Sequence, residues 1–287
     1  MPEPTDAYLS VIDWPDTLDA ESRAHALVRA AGLDLFTARL RIARGTPQVV
    51  ARLPEARARG GVDVLHRAGA TAFAPTRAQI AGMNEPLRAK RLTPAEGAPE
   101  PMFMVEAWRG EGRGMLARDI FLLVRARLKR SRTRVTDGPA SSGLSGRTIA
   151  ITAVAGPAAG MVASVFGAGR SGADTTTSLH VTEVLDIHLR DGAIVRIDGD
   201  KFSFDILGPA KSPTDRQNMD RLALLLANAA PAAMVDTSFA AFTCPPEIAR
   251  DSWIGTSGST VHSRDEGPAF DFYSCWVSLM YRSLLVR

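Results

Sequence analysis

Cysteine occurs only at positions 244 and 275, and neither belongs to a CxxC pair. That excludes a disulfide-dense secreted scaffold and removes the usual ligand spacing of a structural zinc site. Lysine is confined to positions 90, 129, 201 and 211, so positive charge is carried almost wholly by arginine. The run Met1-Pro2-Glu3-Pro4-Thr5-Asp6 is acidic and has neither a basic n-region nor an apolar h-region. It does not read as a signal peptide, and a cytoplasmic protein is expected. Signatures of catalysis are also missing. Gly143-Leu144-Ser145-Gly146 is too short for a GxSxG elbow, and 167–172 lacks both the GxGxxG spacing and the lysine of a phosphate loop. Asp198, Asp200 and Asp205 do not follow EF-hand spacing and read as turn residues. No catalytic residue, cofactor or metal is expected. His188 and Asp186, two apart on one strand, are the only acid–base pair of note, and they read as surface residues on the polar face of a hairpin.

What remains is ordinary globular material. Hydrophobic residues make up 45% and charged residues 23% of 287, which excludes a fully disordered chain, a collagen and a heptad rod. The length allows one large domain or two modest ones. A net charge of +3 is too mild to imply nucleic acid, so no nucleic-acid partner is expected.

Along the chain, residues 7–12 predict a strand closed by Asp13-Trp14-Pro15. Asp19 or Glu21 begins a helix, with Ala26, Leu27, Ala30 and Ala31 as its apolar stripe and Gly32 as its stop. Asp34 caps a second helix to Ala43, offering Leu35, Ala38, Leu40 and Ile42 to a core. Gln48–Arg52 predicts a strand, 54–67 a helix despite Gly60-Gly61, and 70–74 a last strand. The order is β-α-α-β-α-β.

This stretch resembles the C-terminal domain of the bacterial ribosomal stalk protein, whose fold the ClpS protease adaptor shares. The resemblance rests on Val28-Arg29-Ala30-Ala31-Gly32-Leu33-Asp34-Leu35, Ala38-Arg39, Gly45-Thr46-Pro47 and Leu65-His66-Arg67-Ala68-Gly69-Ala70, and it covers residues 7–75. It implies a small protein-binding domain without catalytic machinery, whose second helix meets the partner. Here that helix holds Arg39 and Arg41, with Phe36 and Thr37 standing where the family has charges. Phe36, Arg39 and Arg41 are therefore the expected protein-binding residues.

The rest divides into a proline-rich linker at 77–101, a second domain at 102–243, and a tail at 244–287. Strands are expected at 102–108 and 120–124, followed by a basic run of Arg125, Arg127, Lys129, Arg130, Arg132 and Arg134. Residues 184–190 and 193–197 alternate around Asp191-Gly192, a two-residue hairpin turn, and Phe202, Phe204 and Ile206 suggest a third strand. Ser212-Pro213-Thr214-Asp215 opens a helix, with Ser212 as N-cap and Pro213 at its first position. The fold class expected is α+β, a small N-terminal module plus a larger antiparallel sheet with a closing helix. In the tail, 255–260 reads as a loop, and Phe270, Phe272, Tyr273, Trp276, Leu279, Met280 and Leu284 recur at helical spacing and suit a docked helix.

Two functional readings follow. The leading one is a non-enzymatic adaptor that binds another protein through residues 1–76. The alternative is a membrane-associating protein. Residues 149–168 are uncharged and about the length that spans a bilayer, and Gly156 and Gly160 form a small-xxx-small row. The basic run 125–134 would then lie at an anionic lipid surface. The same features also fit a buried or looped segment 149–168 and a solvated edge strand 125–134.

Overall fold

A computed structural model describes residues 5–83, 85–137, 173–248, 250–256 and 259–285. The segment 149–168, with Gly156 and Gly160, lies outside them. The chain is α+β and forms two compact units. One comprises Met1–Asn84, Ala241–Ile248 and Asp271–Arg287, and the other Glu85–Ala240 and Ala249–Phe270.

In the first unit the elements are β1 (Asp6–Asp13), α1 (Ala20–Ala31), α2 (Leu35–Ala43), β2 (Gln48–Pro54), α3 (Glu55–Arg67), β3 (Thr71–Phe73) and α4 (Arg77–Ala81). The order read from the sequence is present. Local chemistry explains the boundaries. Asp19 accepts a hydrogen bond from Ser22 N at 2.7 Å, and Asp34 accepts one from Thr37 N at 2.9 Å, satisfying amides that the first turns leave open. Gly32 closes α1 with its N–H on Val28 O. The three strands pair antiparallel in the order β2-β1-β3.

Alternation along β1 sends Ala7, Leu9 and Val11 into a core shared with Leu27 of α1 and Leu65 of α3. Gly61 is what lets α3 come this close. A methyl group there would lie 2.7 Å from Ala30 O and 2.9 Å from a Leu9 methyl, whereas Gly60 faces open space. Tyr8 and Ser10 point to the other face of the sheet, and residues of the C-terminal helix (Gly267–Leu285) cover it. Phe272 meets the Tyr8 ring edge-on at 4.9 Å, and Trp276 Nε1 donates to Ser10 Oγ at 3.0 Å. Phe242 packs on Tyr273 and Trp276 at 4.8 and 5.3 Å. The aromatic stripe of the tail is therefore core, as its spacing suggests.

The second unit is built on one large sheet. Its strands are β4 (Leu87–Pro94), β5 (Met102–Ala107), β6 (Arg113–Leu116), β7 (Ile120–Asp137), β8 (Ala173–Leu189), β9 (Ile194–Asp198), β10 (Met234–Asp236), β11 (Arg250–Thr256) and β12 (Ser259–Asp265). They run β11-β12-β7-β8-β9-β4-β5-β6, with β10 also beside β7. The sheet is mixed rather than wholly antiparallel, because β4 pairs parallel with β9 and β10 parallel with β7. Helix α5 (Asp215–Ala229) lays Met219, Leu222 and Leu226 against Leu185, Ile187, Val195 and Ile197.

Several expectations need correction. The proposed linker 77–101 contains α4 and β4. Pro86 and Pro94 bracket that strand instead of breaking it, and its inward residues Ala89 and Leu92 are three apart because a bulge lies between 89 and 91. Gly255, Thr256, Ser259 and Thr260 of the stretch read as a loop belong to the β11–β12 pair. Phe202 and Phe204 are buried, with rings 5.0 Å apart, but they enter a 3-10 turn over Phe204–Ala210 and not a third hairpin strand. The N-cap of α5 is Thr214, which leaves Pro213 outside the helix. Residues 130–134 of the basic run are not an edge, since β7 pairs there with β8 on one side and β12 on the other.

Candidate functional site

The most exposed large apolar side chain named for the sequence-predicted site is Phe36, at 71%. It sits in the first turn of α2, just after the Asp34 cap, whose carboxyl is held below the usual range by hydrogen bonds from Thr37. At 3.6 residues per turn, Leu40 and Ala43 follow Phe36 on the same outward arc, and both are exposed. Leu40 was expected in the core, but Ala38 fills that role, with Leu35 and Ile42 half-buried beside it. The outward arc is thus Phe36, Leu40 and Ala43, with Arg39 and Arg44 at its two margins.

Arg39 and Arg41 behave differently from Phe36. Arg39 binds both carboxylate oxygens of Glu21 on α1, at 3.0 and 2.7 Å, and this pairing draws the Glu21 pKa down. Arg41 is half-buried, its carbonyl accepts from Gln48 Nε2 at 3.0 Å, and burial followed by the nearby charge of Arg44 lowers its pKa. Of the three expected binding residues, Phe36 alone is offered without a competing internal role. Leu40 is the residue that sequence reading missed, although its i+4 spacing from Phe36 was the available signal.

The Asp186/His188 pair is not at the surface. Asp186 is 0% exposed, and its two oxygens each accept from Arg196, from Nε and Nη2, at 2.7 Å. The Arg196 guanidinium lies 5.1 Å over the Phe270 ring, and His188 stands edge-on to Phe121 at 6.1 Å. Ladder register places Asp236, Val124, Asp186 and Arg196 in one row across β10, β7, β8 and β9. This is a buried charge pair with the Phe270 ring over its guanidinium. The three aspartates read as turn residues are spread among other partners: Arg88 binds Asp198 at 2.6 Å, and Lys211 binds Asp205 at 2.9 Å. Among the described residues no group of three His, Cys, Asp or Glu side chains could hold a metal ion.

The basic run divides by face. Arg125 is paired with Glu183 at 3.3 Å and with Asp220 of α5, and Arg127 approaches Glu183 at 3.6 Å. Arg130, Arg132 and Arg134 point to the opposite face, because side chains alternate along a strand. No helix among the described residues is long and apolar enough to cross a membrane.

Cys244 is half-buried, and desolvation, with the Glu247 charge adding to it, pushes its thiol up to about 12 from an ordinary 9.0. A raised thiol pKa lowers the thiolate share at any given pH below it, so at pH 8 the reactive form falls about a thousandfold. Alkylation by iodoacetamide followed by peptide mapping is expected to label Cys244 at least a hundred times more slowly in the native chain than in the denatured one. Equal rates would contradict a desolvated thiol.

No family model matches the chain, and no curated protein or solved structure matches it.

Proposed function

We propose that the chain is a non-enzymatic, two-unit adaptor that acts in the cytoplasm and binds a protein partner through α2. The observation that carries this reading is the outward stripe of Phe36 and Leu40, 71% and 48% exposed. Leaving two large apolar side chains in water on one helix face forgoes about 1.5–3 kcal/mol each, a gain that a partner recovers on covering them. Arginines at the margins add a polar rim, and a rim of this kind contributes more to orientation and encounter than to affinity. Two further features support the reading. The first unit has the element order of the stalk-protein and ClpS domains that it resembles. In the second unit Asp186 is buried and bonded to Arg196. The cytoplasmic placement rests on the scarcity of cysteine.

The test is affinity capture with the full chain and with Phe36→Ser/Leu40→Ser. The double variant is expected to fold normally, because exposed substitutions stay within about 0.5 kcal/mol. It should lose its partner by at least about 30-fold in Kd, the roughly 2 kcal/mol that marks a hot spot. Identical binding by both chains would remove α2 as the contact and the adaptor reading with it.

A further inference from the structure

We infer that the outer part of the β7–β8–β12 ladder is a contact surface for anionic lipid headgroups, built from Arg130, Arg132 and Arg134 with His180. Strand β7 runs Ile120–Asp137 and β8 runs Ala173–Leu189, each far longer than a typical strand, and only their inner parts cover the core. Over residues 129–134 the side chains of β7 are exposed or half-exposed on both faces. Residues directly opposite one another in a ladder share a face. Arg130 faces His180 and Asp265, Arg132 faces Ser178 and Ser263, and Arg134 faces Thr176 and Val261. The three arginines therefore stand in a column on one face of the sheet, about 6.8 Å apart, flanked by hydroxyl-bearing residues.

Charge balance on that face is one-sided. Asp265 binds Arg130 at 2.9 Å, and Asp200 lies 4.0 Å from His180. Arg132 and Arg134 are exposed and have no ion pair among the described residues. A depression of about 370 Å³ opens there, lined in part by Arg130, Arg132, Ser178 and His180. The basic run thus has two jobs. Arg125 and Arg127 are used inside the unit, and Arg132 and Arg134 are left for an outside anion.

Two observations favour a lipid surface over a nucleic acid. No Phe, Tyr or Trp side chain is described on the arginine face of these strands, so a platform for stacking bases is missing. Residues 138–172, which leave β7 at Asp137 and rejoin at Ala173, include the uncharged run 148–169 in the sequence. A basic surface whose strands are joined in sequence by a long uncharged run suits anionic headgroups, where each basic residue adds attraction that fades within a Debye length.

The experiment is co-flotation of the full chain with vesicles of phosphatidylcholine alone or mixed equally with phosphatidylglycerol, at about 50 mM and about 500 mM salt. Arg132→Gln/Arg134→Gln is compared with Arg59→Gln/Arg67→Gln, which removes the same charge from the exposed face of α3. Binding is expected only with phosphatidylglycerol and weakened by salt. Arg132→Gln/Arg134→Gln should lower the partition coefficient about 30-fold, as roughly 1 kcal/mol per basic residue gives, while the α3 variant changes it less than about threefold. No binding to phosphatidylglycerol, or equal losses in the two variants, would overturn the inference. So would release from the vesicles by a single-stranded oligonucleotide at equal phosphate, which would make the column a nucleic-acid contact.

Discussion

Arg196→Met is expected to destabilise the second unit by about 3–5 kcal/mol, because it leaves the Asp186 carboxylate buried without its counter-charge. Asp186 is wholly enclosed, and both of its oxygens are used by Arg196. Removing one partner of such a pair imposes the full desolvation cost of the other. The apolar replacement also keeps most of the side-chain volume over Phe270, so the loss reports charge and not a cavity. Asp186→Leu/Arg196→Met should recover most of it, since exchanging a whole buried pair for apolar groups is often neutral. Hydrogen exchange of the β8 and β9 amides measures the change, and the single variant should lose protection by a factor of hundreds to thousands. A single variant as protected as the parent would show that the pair is hydrated and that the aromatic cover is open.

The second large effect is at Trp276. Trp276→Ala should cost the first unit about 3–5 kcal/mol, the range for truncating a buried tryptophan. The indole is fully buried against Phe73, Phe242 and Tyr273. Its Nε1 bond to Ser10 is the smaller part, because the Ser10 hydroxyl also donates to Tyr8 O at 2.9 Å. Trp276→Phe should therefore lose clearly less than Trp276→Ala. Leu285→Ala, on the exposed side of the same helix, should change stability by less than about 0.5 kcal/mol. Exchange of the β1 amides reads all three, and equal effects at 276 and 285 would refute the assignment of the aromatic stripe to the core.

How much of this was legible in the sequence differs from place to place. The caps at Asp19, Gly32 and Asp34 are local chemistry, and the helices begin and end as those residues dictate. The hairpin shows a finer point. Reading Asp191-Gly192 as a two-residue turn places Asp186 opposite Ile197. The turn in fact holds three residues, Arg190 to Gly192, with Leu189 N bonded to Ala193 O and Gly192 at φ 93°. That one-residue difference sets Asp186 opposite Arg196 and Leu185 opposite Ile197. The alternation already held the answer, since only this register puts Leu185, Ile187, Val195 and Ile197 on one face. The burial of Asp186 and His188 was not legible, because a strand with both faces covered looks like one with a polar face outward until the covering elements are known. Here Phe239 and Phe270 supply part of that cover from more than 30 residues away in sequence. Strands β11 and β12 were hidden for a related reason. Their Gly, Ser and Thr content reads as a loop, and β12, which pairs with β11, is itself held by the outer half of β7.

The bond between Ser10 and Trp276 joins positions 266 residues apart. It sets a schedule for synthesis. The ribosome makes β1 through α4 first, and the helices that cover one side of their sheet are already present. The other side, with Tyr8 and Ser10, must wait while the whole of the second unit is translated. At about 5–20 residues per second that wait lasts roughly 10–40 s. For that time the newborn module displays the Tyr8 face of its sheet to every chaperone and every neighbouring nascent chain, and that face is sealed only after the second unit has been made.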